Sequence, residues 1–288
     1  MKPAPFEYQA PATLREAVDL LVLDPEAMVI AGGQSLMPVL ALRLATPSLL
    51  VDLRRLPGLD NIVIGNSGVR LGARVRWRDI EDHRRLDIAH PLLREAIAHV
   101  AHYQIRNRGT VGGSLAHADP AAELPGVAVT CEAEITLVGT AGSRTIRAGE
   151  FFTGPLSTLR QRDEVITELC LPFWPKDRHW AFLEFAQRQG DFALAGIALF
   201  YDEDQDGRVR NAHIGVIGAC DRPRRLTEVE TVLNGRPVDE ALIRDAAEIA
   251  ARTVDPPEDL HAPAAYRRAL VATLVQRGLR SATQPRSV

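Results

Sequence analysis

The chain has 288 residues, of which 46% are hydrophobic and 25% charged, enough for two domains or for one large domain with a real core. With 34 Lys and Arg against 37 Asp and Glu, the net charge is −3, which argues against a nucleic-acid binder or a protein held to anionic membranes by charge. The three cysteines, Cys131, Cys170 and Cys220, stand too far apart for a disulfide framework, a CxxC-type metal site or an iron–sulfur centre of the chain's own. The N-terminal residues carry no apolar signal core, and no apolar run is long enough to span a bilayer, so the expected setting is reducing and cytoplasmic.

In chain order, Thr13 and Glu16 form a capping-box signal, and Leu14, Ala17, Val18 and Leu21 then follow the spacing of one buried helix face. Residues 27–31 read as a buried strand running into Gly32 and Gly33, with a helix from about Ser35. Pro38 is tolerable in its first turn, and the unit offers an anion site at the helix N-terminus. Further strands are expected at 49–53, 62–64 and 69–71. Pro91 fits the first turn of a helix with Leu93, Ala96, Ile97 and Val100 inside, and strand-like segments recur at 135–138 and 165–169. Residues 172–175 read as a linker. Beyond it, runs near 181–185, 193–201 and 209–217 predict a three-stranded antiparallel sheet, followed by helices at about 239–251 and 264–279 and a frayed tail from Ser281. The chain therefore reads as α+β, with a ligand-binding region to about residue 175 and a smaller sheet with helices after it.

Two glycine-rich turns carry the chemistry. Ala31-Gly32-Gly33-Gln34-Ser35 and Thr110-Val111-Gly112-Gly113-Ser114 both offer backbone without a Cβ, N–H groups and a hydroxyl, which together suit phosphate oxygens. Neither is GxGxxG, and neither is a Walker loop, since no Gly-Lys-Ser/Thr follows. Two such turns in one chain predict a clamp on a ligand with two phosphates. The second opens a stretch from Gln104 to Pro125 that also holds His117, Asp119 and Glu123. Its weak periodicity marks a functional loop, in which carboxylates suit ribose hydroxyls.

The remaining motifs have plainer explanations. Asp202 to Gly207 copies the opening of an EF-hand loop, but its twelfth position is His213 and not the bidentate Glu, so a hairpin turn is expected at Asp206-Gly207. His99 and His102 lack companions at zinc spacing and read as helix-end histidines. Arg222, Arg224 and Arg225 read as solvated surface, with a partner contact or an anionic electron acceptor as the alternative. Cys220 reads as a small buried apolar residue.

Gly32-Gly33-Gln34-Ser35-Leu36, followed about 75 residues later by Thr110-Val111-Gly112-Gly113-Ser114 and His117-Ala118-Asp119-Pro120, resembles the FAD-binding medium subunit of the molybdenum hydroxylases, the xanthine dehydrogenase and carbon monoxide dehydrogenase family. The resemblance covers nearly the whole chain. It implies a two-subdomain FAD-binding fold of the vanillyl-alcohol-oxidase and cresol-methylhydroxylase (PCMH) type over residues 1–175, divided at about 55, with a C-terminal domain of the CO dehydrogenase flavoprotein type over 176–288. It places Val29, Ile30, Ala31, Gly32, Gly33, Gln34, Ser35 and Leu36, with Thr110, Val111, Gly112, Gly113 and Ser114, on the diphosphate and adjoining atoms. Val100, Gln104 and Ile105 fall where the family lines the cofactor, and His117 and Asp119 belong to the same motif. Glu123 matches an acidic position on the nucleotide portion, and Ile166 an apolar contact with the ring system. Where some relatives carry a lysine near the flavin, this chain reads Phe182-Leu183-Glu184-Phe185. Arg188, Asp191, Phe192 and Ala193 do look like the family.

The resemblance implies an FAD-binding electron-transfer subunit with no catalytic acid, base or nucleophile and no metal of its own. A large subunit would hold the molybdenum cofactor and hydroxylate the substrate, and a small one would hold two [2Fe–2S] clusters. Electrons would pass from those clusters through FAD to an external acceptor, in a heterotrimer that pairs into a dimer. The alternatives are a self-contained flavin oxidoreductase of the same superfamily and a scaffold subunit that binds another nucleotide.

Overall fold

A computed structural model describes residues 2–284. At its N-terminal end, strands β1 (Glu7–Gln9), β2 (Met28–Ile30) and β3 (Leu49–Asp52) pair in parallel in the order β1-β3-β2. Between them run helices α1 (Leu14–Leu23) and α2 (Leu36–Ala41). Thr13 caps α1 as expected, but the reciprocal half of the capping box does not form, because Glu16 reaches the N–H of the residue before the cap and not that of Thr13. The Thr13 hydroxyl accepts from Glu16 N–H at 3.2 Å, and the Glu16 carboxylate accepts from Ala12 N–H at 2.9 Å. Ala17, Leu21, Leu49 and Val51 form a small core, which Val165 joins from the next layer.

A five-stranded antiparallel sheet follows. It contains β4 (Ile62–Gly65), β5 (Gly68–Gly72), β6 (Glu134–Gly139), β7 (Gly142–Arg147) and the late strand β10 (Val165–Pro172), in the order β4-β5-β10-β6-β7. Helices α3 (Trp77–Asp82), α4 (Leu86–Ala89), α5 (Pro91–His99), α6 (Tyr103–Arg106), α7 (Val111–His117), α8 (Glu123–Thr130) and α9 (Ala148–Phe151) fill the connections, with a two-stranded ribbon of β8 (Phe152–Gly154) and β9 (Ser157–Thr158). Trp77, Leu93, Ile97, Leu115, Leu124 and Phe151 make up much of the central core. The stretch expected to be a functional loop is thus mostly helical. Its three helices have only four, seven and eight residues. Segments that short give no sustained 3.6-residue pattern.

The C-terminal sheet has four strands, not three: β11 (His179–Phe185), β12 (Ala195–Glu203), β13 (Val209–Ile217) and β14 (Arg224–Arg225). The fourth is only two residues long, too short for any alternation to show. Helices α10 (Thr227–Leu233), α11 (Glu240–Thr253) and α12 (Ala264–Ala282) pack on this sheet around Leu199, Tyr201, Val216, Ala246 and Leu279. Alternate residues of β12 belong to this core and to the central one, which explains its unbroken apolar run. Asp206-Gly207 is the β12–β13 hairpin turn, with Gly207 at φ 69°. Of the tail, Ser281 and Ala282 close the last turn of α12 and Ala282 is buried, so fraying does not begin at Ser281; residues 285–288 lie outside the described residues.

The segment expected to be a linker is a packed joint. Trp174 is buried, its ring 4.6 Å from that of His90 and 5.3 Å from that of Phe200. The Arg178 guanidinium covers both Trp174 and Phe200 and forms a bidentate pair with Asp202, both bonds 2.9 Å. The arginines expected at solvated surface also tie elements together. Arg222 donates to the Thr153 carbonyl, Arg224 to that of Thr253, and Arg225 to the Glu230 and Glu132 carboxylates.

Candidate functional site

The first glycine turn follows directly from β2. Gly33 adopts φ 73°, a region an L side chain resists, and the chain then enters α2 with Met37 N–H donating to the Gly33 carbonyl at 3.0 Å. Before that point the backbone donors are free. The N–H groups of Gly32, Gly33, Gln34, Ser35 and Leu36 have no acceptor among the described residues, and the Ser35 hydroxyl makes no cap hydrogen bond. The Gln34 amide folds back onto the Gly32 carbonyl at 3.1 Å and stiffens the turn.

The second turn is built differently. Thr110 is the N-cap of α7, its hydroxyl accepting from Gly113 N–H at 3.2 Å. Just before it, residues 109–112 lace onto 73–77. Trp77 N–H donates to the Gly109 carbonyl, Val111 N–H to Val75 and Gly112 N–H to Ala73. The donors of Val111, Gly112 and Gly113 are therefore spent inside the protein. Gly112 is small for a packing reason, since a Cβ there would lie 2.6 Å from the Ala73 Cβ. Only the first turn presents a cluster of unused N–H groups.

Both turns line one cleft of 1410 Å³, larger than the ~300–1,000 Å³ of a site for one drug-sized ligand. Its walls include Val29, Ile30, Ala31, Gly32, Gly33, Gln34, Ser35, Leu36, Val100, Ile105, Thr110, Gly112, Gly113, Ser114, His117, Asp119, Glu123 and Ile166. Two expected residues lie elsewhere. Val111 is fully buried in the central core, because the first residue of α7 turns its side chain toward the sheet. Gln104 is exposed on α6 and off the wall that Ile105 forms.

The chain turns sharply on either side of this wall. Ala101 sits at φ 42°, held by the Arg106 guanidinium, which donates to the Val100 and Ala101 carbonyls at 3.0 and 2.9 Å. Ala118 closes α7 in the left-handed region and redirects the chain toward Glu123. His99 does end a helix; His102 instead begins α6 and reaches the cleft.

Glu123 is 8% exposed at the start of α8. Burial first, then the nearby Glu184 carboxylate, pushes its carboxyl up to about 8. Cleft residues that no local pattern marks come from distant segments. Arg160 donates to the Gln161 and Glu164 carbonyls, and Glu164 is held by Arg144. Arg267, 4% exposed, reaches from α12 to the Leu194 and Gly218 carbonyls and to Asp259. Gln187, Asp191, Phe192, Cys220, Asp255 and His261 complete that end. Asp191 and Phe192 lie in the stretch that already resembled the family; no signal short of the fold joins the other positions to the cleft.

These features fit a flavin dinucleotide: free N–H groups for a diphosphate, a cleft of 1410 Å³, roomy enough for a large ligand, and apolar walls at Val29, Ile105 and Ile166. Among the described residues no three His, Cys, Asp or Glu side chains are grouped to hold a metal ion, and no helix is long and apolar enough to cross a membrane.

Comparison with known proteins points the same way. Residues 4–174 match the FAD binding domain in molybdopterin dehydrogenase, and residues 180–282 the CO dehydrogenase flavoprotein C-terminal domain. The chain is 39% identical over 277 residues to the nicotine 6-hydroxylase medium subunit of Paenarthrobacter nicotinovorans, covering 96% of this chain and 97% of the relative. It superimposes with a TM-score of 0.94 on a chain of carbon monoxide dehydrogenase from Hydrogenophaga pseudoflava, at 35% identity and 98% coverage of each. With a chain of quinoline 2-oxidoreductase from Pseudomonas putida 86 the TM-score is 0.93, at 37% identity and 98% coverage of each.

Proposed function

This chain belongs to the FAD-binding medium subunits of the molybdenum hydroxylases, and from that premise we propose that it is the electron-transfer subunit between the [2Fe–2S] clusters of a small partner and an external acceptor. The observation that carries the proposal is the set of unused N–H groups on Gly32 to Leu36, residues that line a cleft of 1410 Å³. FAD, when bound, supplies the capacity to take up and hand on electrons; the chain supplies binding, orientation and electrostatics. Gly32 to Leu36 would offset the diphosphate charge with backbone dipoles, and Thr110 and Ser114 line the same cleft and carry hydroxyls. Val29, Ile105 and Ile166 would exclude water from the apolar parts of the cofactor.

A large subunit holding the molybdenum cofactor would then carry out the substrate chemistry, and the complex would be a dimer of heterotrimers. The three cysteines are free, which accords with a reducing cytoplasmic setting. The purified full chain is expected to carry or take up one FAD and, alone, to turn over no organic substrate. A chain that stays colourless after incubation with FAD overturns the cofactor assignment, and substrate turnover by the chain alone overturns the division of labour.

A further inference from the structure

Arg160 stands in the cleft wall with a charge that no carboxylate of the chain pairs with. It follows β9 in a turn that leads to Glu164 and β10, and hydrogen bonds tie that turn down. Arg160 N–H donates to the Thr158 hydroxyl at 3.3 Å, Leu159 N–H to the Phe151 carbonyl at 2.9 Å and Glu164 N–H to the Gln161 carbonyl at 3.1 Å. Val165, the first residue of β10, packs in the small core that Val29 and Ala31 adjoin, so the turn is built against the strand that feeds Gly32. One guanidinium nitrogen, Nη1, donates to the Gln161 and Glu164 carbonyls, each at 2.9 Å. Nε and Nη2 have no acceptor among the described residues and are not sealed from open space, and Arg160 lines the cleft.

The carboxylates nearest in the turn are engaged elsewhere. Asp163 accepts from the Thr140 N–H and hydroxyl at 3.0 and 2.6 Å, and Glu164 accepts from Nε and Nη2 of Arg144. Arg160 therefore makes no ion pair among the described residues and is held by carbonyl dipoles. It is half-buried, and burial draws its guanidinium below the ordinary arginine range, while the charges of Glu164 and Asp163 act the other way. A guanidinium keeps its proton in a protein, so a partly desolvated one is stabilised by an anion that reaches it. Three arginines and no lysine line the cleft. Of the other two, Arg162 is exposed and Arg267 pairs with Asp259 at 2.8 Å. Oxidised FAD has one anionic part, its diphosphate. We propose that Arg160 is a cofactor-binding residue whose Nε and Nη2 donate to the diphosphate of bound FAD, adding a full positive charge to the partial charges of the N–H groups from Gly32 to Leu36. The proposal rests on the assignment of the cleft to FAD.

The test is FAD affinity of the full chain, read by flavin fluorescence at low and high salt, for the natural sequence, Arg160→Gln and Arg160→Lys. Loss of a charge-assisted hydrogen bond should weaken binding by Arg160→Gln roughly 10- to 100-fold at low salt. Salt should weaken binding by the natural chain and by Arg160→Lys, which keeps the charge, more steeply than binding by Arg160→Gln. Removal of a merely structural arginine would lower affinity without changing that salt dependence. On the natural chain, FAD should also shield Arg160 from phenylglyoxal, an arginine reagent, as read by mass spectrometry of the labelled peptide. This readout needs no variant and stands even if Arg160→Gln does not fold. Undiminished affinity of Arg160→Gln, parallel salt curves for the three chains, or labelling of Arg160 that FAD leaves unchanged overturns the proposal. Failure of the natural chain to bind FAD at any salt concentration overturns instead the assignment of the cleft.

Discussion

The backbone of Gly32 lies against the carbonyl of Arg108, so closely that a side-chain carbon on Gly32 would collide with the Arg108 oxygen. This contact joins the first glycine turn to the segment that leads into the second. The clamp is therefore one unit, in which Gly32 is required by the neighbouring chain as well as by any ligand. Gly32→Ala must push two backbone segments apart, so it should lower stability by roughly 1–3 kcal/mol and reduce FAD content in the same variant. Urea unfolding of the apo chain, compared with flavin stoichiometry, checks both effects.

Gly112→Ala should behave as a core variant. The new methyl would meet the Ala73 side chain at 2.6 Å, and the Gly112 N–H already pairs with the Ala73 carbonyl. The expected outcome is an overpacking cost of about 1–3 kcal/mol in the apo chain, measured without cofactor. Gly113→Ala meets only the Thr110 hydroxyl and should cost about 1 kcal/mol, the scale of a perturbed helix cap. An apo stability for Gly112→Ala equal to that of the natural chain would refute this account of the second turn.

Arg267 should be essential to the far wall of the cleft. Its guanidinium joins the Leu194 and Gly218 carbonyls to Asp259 across three segments, with distances of 2.7, 3.0 and 2.8 Å. Arg267→Met leaves two buried carbonyls without that donor and should cost roughly 3 kcal/mol. Thermal unfolding reads the loss, and Arg267→Lys, which cannot span the same fork, should recover only part of it.

Glu123 should make the folded state less stable as pH rises. Its carboxyl is raised from 4.5 to about 8 on folding. Below 4.5 both states hold the proton and the contribution is fully present. Between 4.5 and 8 the unfolded chain releases a proton that the folded chain keeps, so this contribution is lost progressively. Glu123→Gln should flatten the decline between pH 5 and 8.5 in apo-chain urea titrations.

His90 should act in the opposite direction. It is fully buried, caps α5 by accepting from Leu93 N–H at 3.2 Å, and burial lowers it from 6.5 to about 3. Its contribution is present above pH 6.5 and is lost as pH falls toward 3, because the unfolded imidazole binds a proton that the folded one refuses. His90→Asn keeps a cap acceptor but gives up the contact with Trp174. It should start lower at pH 7 and lose stability less steeply below 6.5.

Elements whose pattern is local could be read from the residues. The Thr13 cap, the inner face of α5, the three long strands of the C-terminal sheet and the Asp206-Gly207 hairpin each depend on side chains a few positions apart. Short elements escaped because two to eight residues do not sustain a period. That is why β14 was missed and why the stretch around Gly112 resembled a loop. Trp174 resembled part of a linker because its partners, His90 and Phe200, are far away in sequence.

By itself the sequence determined the family, the paired glycine turns and most of the residues that meet at the cleft, since those features are covalent spacing and residue type. Only the tertiary structure decided that the donors of the second turn are spent inside the protein, largely on residues 73–77, and that those of the first remain free. Hydrogen-bond saturation and the coupling of buried charges depend on which groups meet in space, and that is set by packing between segments distant in the chain.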